Sequence, residues 1–70
     1  MNELSLDGRD NIALCDLLKR VGFCENGGHA KTVISEGQVK VDGKVELKKR
    51  CKILPNQIVE FENQLVKVLV

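Results

Sequence analysis

Residues 37–50 read GQVKVDGKVELKKR, and this stretch decides the fold. Apolar residues alternate with polar ones on both sides of Asp42-Gly43. The apolar positions are Val39, Val41, Val45 and Leu47. An Asp-Gly pair between alternating apolar residues is a strong signal for a β-hairpin closed by a two-residue turn.

The hairpin is also rich in cations, with five lysines and arginines against two acids in its fourteen residues. Charge is segregated along the chain. Residues 1–18 hold one cation and four acids (−3), residues 19–52 nine and four (+5), and residues 53–70 one and two (−1), for a net charge of +1. A basic middle indicates an anionic partner. The alternative, that the lysines only solvate the strands and prevent edge aggregation, has equal weight on composition alone.

A first amphipathic helix is predicted upstream of the hairpin. Asp10 is expected to cap its N-terminus, and Gly22 to end it as a residue able to adopt positive φ. The apolar residues recur at helical spacing. They are Leu14, Leu17, Leu18 and Val21.

A second helix is predicted between Asn26, its expected N-cap, and Gly37, its expected stop. Its apolar stripe is Ala30, Val33 and Ile34. The helix entrance, Asn26-Gly27-Gly28, offers free backbone N–H groups and the positive end of the helix dipole. We expect these three residues to contact phosphate, although a Gly-Gly pair alone more often marks a plain turn.

Strands are predicted on both sides of this region. Leu4 and Leu6 alternate with polar residues near the N-terminus. A turn at Pro55-Asn56 precedes two strands around Glu62-Asn63. The predicted fold class is α+β, with two helices packed on a small, mainly antiparallel sheet, in a single domain spanning residues 1–70.

Composition excludes several classes of protein. With 43% hydrophobic and 30% charged residues, the chain is neither a disordered tail nor a membrane protein. The first ten residues lack the apolar run of a signal peptide, so we expect a cytoplasmic protein. The sequence gives no sign of oligomerisation, so we expect a monomer. The three cysteines and one histidine allow a metal or redox site at Cys24 and His29, but they supply too few ligands for structural zinc, so we expect no metal and no cofactor.

Phosphate oxygens attract clustered cations, so the cations of the hairpin and of the second helix are the residues that we expect to contact a nucleic acid. They are His29, Lys31, Lys40, Lys44, Lys48, Lys49 and Arg50. No nucleophile and base stand in a recognisable constellation, so we expect no catalysis. Only two residues are aromatic, Phe23 and Phe61, which favours recognition of RNA backbone and shape over base stacking.

The order of residues in LCDLLKRVGFCENGGHAKTVISEGQVKVDGKV resembles the S-four-type RNA-binding domain, the αL motif found in a ribosomal protein, pseudouridine synthases and tyrosyl-tRNA synthetases. The match covers roughly residues 12–61, and the short chain looks like the stand-alone bacterial type. The resemblance implies an αL fold and binding of structured RNA, with ribosomal and transfer RNA as candidates. It places RNA contacts at Lys31 and Lys44. It also matches Asp42 and Gly43 to the turn, and we expect these two residues to contact RNA as well.

Two arginines that the family often carries at its helix starts are absent here. The first helix begins Ala13-Leu14-Cys15, and the second begins Asn26-Gly27. Either neighbouring cations compensate, or the affinity for RNA is reduced. The alternative function is a protein-binding or ribosome-associated adaptor that presents the same basic face to an acidic protein.

Overall fold

The predicted two-residue turn at Asp42-Gly43 is present and sets the register of one sheet edge. In the computed structural model, which describes residues 2–70, β3 (Val39–Val41) pairs antiparallel with β4 (Lys44–Val45). Both turn residues have positive φ, 53° at Asp42 and 83° at Gly43. Positive φ at both central residues is the type I′ geometry, whose twist matches that of antiparallel strands.

A second hairpin forms the centre of the same sheet. β6 (Ile58–Phe61) and β7 (Gln64–Leu69) pair antiparallel around Glu62 and Asn63, which also both have positive φ. β1 (Asn2–Ser5) lies beside β7 in parallel. The strand order is β1-β7-β6-β3-β4, so the prediction of a mainly antiparallel sheet is confirmed.

The sheet has one buried face, which packs with the helices into a single core. Its residues are Val39, Val41, Val59, Phe61, Val66 and Val68. The opposite face carries the alternate residues of each strand, and neither helix among residues 2–70 packs over it. One row across that face runs Val45, Lys40, Glu60 and Leu65.

The first helix, α1 (Leu14–Arg20), ends as predicted at Gly22, whose φ is 84°. The Gly22 N–H donates to the Lys19 carbonyl at 3.2 Å, and the Phe23 N–H donates to the Leu18 carbonyl at 3.0 Å. This pair of bonds is the Schellman motif, which needs a left-handed residue and therefore favours glycine.

The second helix, α2 (Gly27–Ser35), also follows its predicted signals. The Asn26 side chain accepts a 2.8 Å hydrogen bond from the His29 N–H, as an N-cap should. At the other end Gly37 has a φ of 76° and repeats the Schellman geometry.

The prediction that Asp10 caps α1 is wrong. The residue before the helix is Ala13, which makes no side-chain cap. Ile12–Ala13 instead form β2, which pairs antiparallel with β5 (Lys52–Ile53) in a separate two-stranded sheet.

The reason is that backbone carbonyls replace the capping side chain at the start of α1. The Leu14 N–H donates to the Cys51 carbonyl at 2.9 Å, and the Cys15 N–H donates to the Lys49 carbonyl at 3.0 Å. Two of the N–H groups that a helix start leaves unpaired are therefore satisfied by the segment that leads into β5.

Candidate nucleic-acid interface

The basic hairpin presents cations on both of its faces. The turn pairs Val41 with Lys44 and Lys40 with Val45. Lys44 therefore shares the side of the buried Val41, at the sheet edge, while Lys40 points from the outer face. Both lysines are exposed. The two predicted contact residues consequently lie on opposite sides of one hairpin.

Asp42 connects the hairpin turn to the start of β6. Its two carboxylate oxygens accept hydrogen bonds from the Ile58 N–H at 3.0 Å and from the Gln57 side-chain amide at 2.9 Å. The Asp42 N–H donates to the Ile58 carbonyl at 2.8 Å. These hydrogen bonds lower the pKa of the Asp42 carboxyl, and the bond from the Ile58 N–H contributes more than the bond from Gln57. Asp42, predicted as a contact residue, thus has its carboxylate engaged within the protein.

Three predicted contact residues, Lys48, Lys49 and Arg50, form an exposed loop between β4 and β5. The Lys48 N–H donates to a carboxylate oxygen of Glu46 at 3.1 Å. The Lys49 carbonyl is the acceptor at the start of α1 described above. The backbone of this basic loop is therefore held at Lys48 and Lys49, while its three side chains are exposed.

The entrance of α2 carries the remaining predicted residues. The His29 N–H is engaged by Asn26, and the His29 Nδ1 accepts a long, 3.4 Å hydrogen bond from the Glu25 N–H. Gly27 and Gly28 are the first two helical residues, so their N–H groups lie beyond the reach of any intrahelical carbonyl. A Cβ on Gly28 would lie 3.3 Å from the Asn26 side-chain oxygen, so glycine leaves space for the Asn26 side chain to cap the helix.

The structure does not gather all the predicted cations on one side. His29 and Lys31 belong to the helix layer, whereas Lys40 projects from the sheet face turned away from the helices. Lys40 has Glu60 as its cross-strand neighbour. None of the side-chain hydrogen bonds among residues 2–70 uses a lysine or arginine as donor.

Sequence reasoning missed two features of this surface, the Glu46 bond to the loop and the exposure of Val45 and Leu47. Val45 is 52% exposed and Leu47 60%. The exposure of these two side chains could have been predicted from the strand register. A two-residue turn pairs Val41 with Lys44, so the apolar residues after the turn must point to the face opposite Val41.

Cys24 and His29, the residues of the metal or redox alternative, lie in different environments. Cys24 is buried, and burial, with a smaller contribution from Glu62, raises the pKa of its thiol. His29 is exposed. Residues 2–70 contain no group of three or more His, Cys, Asp or Glu side chains placed to hold a metal ion.

Neither helix has the length to cross a bilayer, since α1 has 7 residues and α2 has 9.

Comparison with known proteins gives a consistent result. A family model described as the S4 domain matches residues 4–69. Two relatives, "Putative RNA-binding protein YbcJ" of Escherichia coli (strain K12) and "Uncharacterized protein YbcJ" of Shigella flexneri, are each 51% identical over 69 residues, which is 99% of this chain and 99% of theirs.

A solved structure agrees with the fold. The solution structure of YbcJ from E. coli, described as revealing an αL motif involved in RNA-binding, matches with a TM-score of 0.78 and 50% identity. The match covers 100% of this chain and 89% of that one. The resemblance and the αL fold predicted from the sequence are confirmed.

Proposed function

This chain belongs to the S4 domain family, and from that premise we propose that it is a non-catalytic protein that binds structured RNA through the basic hairpin, the loop after it and the entrance of α2. In this proposal it acts as a monomer in the cytoplasm, with ribosomal and transfer RNA as the candidate ligands. The relatives' names and the αL fold support RNA as the class of partner.

The observation that carries the proposal is a set of exposed cations on a backbone fixed by hydrogen bonds. Asp42 stabilises the turn, and Glu46 and the start of α1 stabilise the loop. Phosphate groups can therefore bind several lysines at once with little ordering of the backbone. The release of counterions from RNA supplies the driving force.

The residues divide into two roles within this proposal. The direct phosphate contacts are His29, Lys31, Lys40, Lys44, Lys48, Lys49 and Arg50. The N–H groups at the entrance of α2 add donors aligned with the helix dipole. Asp42 and Gly43 act by shaping the turn that presents Lys44.

The test is a salt titration of binding to a folded RNA, beside a DNA duplex of equal length. Each phosphate contact contributes about −0.7 to −0.9 to the slope of log K against log salt. We expect RNA to be preferred and Lys44→Glu to make the slope shallower by about one unit. Lys31→Glu and Lys40→Glu should act in the same direction.

Lys67→Glu is the matched control, because it makes the same charge change on β7, which β6 separates from the hairpin in the sheet. Equal losses for Lys44→Glu and Lys67→Glu would mean that only net charge matters. Absence of binding to either nucleic acid at low salt would overturn the proposal.

A further inference from the structure

An apolar patch lies in the middle of the basic hairpin. It consists of Val45 and Leu47, called here the apolar pair, whose exposed fractions are 52% and 60%. Both lie over Gly37: a Cβ built there would be 3.7 Å from Val45 Cγ1 and 3.9 Å from Leu47 Cδ2. Because both side chains come within 4 Å of one point, they form one patch, and Gly37 has no side chain to cover it.

The patch is bordered by cations. Lys40 is the cross-strand neighbour of Val45 on the same face. Lys44 precedes Val45 in the chain and projects from the side of Val41, and Lys48 follows Leu47 at the start of the basic loop. A ligand that contacts the apolar pair therefore lies beside Lys40, whose other cross-strand neighbour is Glu60, and Lys44 and Lys48 are carried by the adjoining residues of the chain. Its chemistry must combine an apolar face with negative charge close beside it.

An unpaired nucleotide has this combination, since its base and ribose offer apolar faces and its phosphate lies next to them. In a fully paired helix the base faces are stacked and out of reach. Aromatic side chains are the usual partners of such bases, but Phe61 is 2% exposed and Phe23 packs against the core. On this hairpin the apolar pair is the surface that remains for the role.

We propose that the apolar pair packs against the base or ribose of an unpaired nucleotide, while the lysines around it bind the flanking phosphates. This inference rests on the proposed RNA-binding function and makes it more specific. The ligand becomes a stem that carries a bulge, loop or junction, as opposed to a continuous duplex.

The experiment compares two RNAs, a stem with a single bulged nucleotide and the same stem without the bulge. Val45→Ser/Leu47→Ser should weaken binding of the bulged stem by about five- to tenfold, somewhat less than the loss of an aromatic stacking partner. Binding of the continuous stem should not change. Because no charge is removed, the slope of log K against log salt should equal that of the unmodified protein.

Leu65→Ser is the matched control, since Leu65 is 36% exposed on the same sheet face but two strands away from β3. It should leave both affinities unchanged. Circular dichroism and thermal unfolding verify that each variant is folded. If the double variant unfolds, the single substitution Leu47→Ser gives the same comparison, because Leu47 lies outside β4.

Three outcomes would overturn the inference. Unchanged affinity for the bulged stem would show that the pair does not contact the nucleotide. An equal loss of affinity for both stems would show that the apolar pair only orders the strand. Loss of a protein partner in a nuclease-resistant pull-down, with RNA binding intact, would assign the patch to a protein. In each case the slope change of Lys44→Glu tests the RNA-binding function separately.

Discussion

The two hairpins of the sheet close with the same type of turn but have different roles in the molecule. Asp42-Gly43 and Glu62-Asn63 both place two consecutive residues at positive φ. The β6–β7 hairpin has β3 on one side and β1 on the other, whereas β4 of the basic hairpin lies at the sheet edge. The same turn therefore produces a buried scaffold in one position and an exposed surface in the other.

The comparison teaches that strand position, more than turn chemistry, decides what a hairpin can do. The central hairpin contributes fully buried valines such as Val59 and Val66. The edge hairpin contributes Val39 and Val41 from its inner strand alone, and its outer strand is free to carry cations and apolar side chains that meet solvent.

The largest expected effect is on the stability of the central hairpin. Val59→Ala removes two methyl groups from a fully buried site and should lower the free energy of unfolding by about 2 kcal/mol. Val45→Ala, the matched change in the edge hairpin, should cost less than about 0.5 kcal/mol. Urea unfolding measures both. Equal costs would mean that Val45 is packed in solution.

A smaller effect is expected at the turn that Asp42 stabilises. Asp42→Ala loses two hydrogen bonds to the exposed carboxylate and should cost about 1 kcal/mol. Glu62→Gln, at the corresponding position of the other turn, should cost less than about 0.5 kcal/mol. Thermal unfolding at neutral pH measures the two variants, and a larger loss for Glu62→Gln would reverse the comparison.

The Asp42 contribution should also depend on pH. Because the folded-state pKa of Asp42 is lowered, the ionised carboxylate stabilises the fold above its ordinary pKa of 3.8. This stabilisation is lost as pH falls through the folded pKa. The difference in melting temperature between the unmodified protein and Asp42→Ala should therefore shrink below about pH 4. A difference that stays constant to pH 2 would show that the carboxylate charge does not matter.

The smallest effect is expected at Glu46, whose carboxylate accepts the Lys48 N–H. Glu46→Ala makes the loop more positive, yet it should weaken RNA binding by about threefold because the loop loses a hydrogen bond of about 0.5–1.5 kcal/mol. Glu46→Gln keeps an acceptor and should bind at least as well as the unmodified protein. If both variants bind more tightly, charge outweighs loop geometry.

Local chemistry made much of this fold predictable. Asp42-Gly43, Asn26, Gly22 and Gly37 act within a few residues of themselves, and each does what its residue type favours. The start of α1 was not predictable in the same way. Its hydrogen-bond acceptors are carbonyls of residues 49 and 51, more than thirty positions away, and the nearby Asp10 gave a misleading local signal.

In the candidate site, too, some features follow from local sequence and others depend on contacts distant in the chain. The exposure of the cations follows from their charge and from their positions in α2, the edge hairpin and the loop after it. Their distribution over two faces depends on register, which the length of the turn determines and which a reading of alternation on each strand separately overlooks. The Glu46 bond depends on the course of the loop, which residue types do not encode.

The carbonyls at the start of α1 give this small domain a built-in reporter. The amide protons of Leu14 and Cys15 exchange with solvent only when their bonds to the Cys51 and Lys49 carbonyls open. Their deuterium uptake therefore records how often the basic loop leaves the helix. A ligand held by that loop would slow the exchange of two buried amides that it never touches.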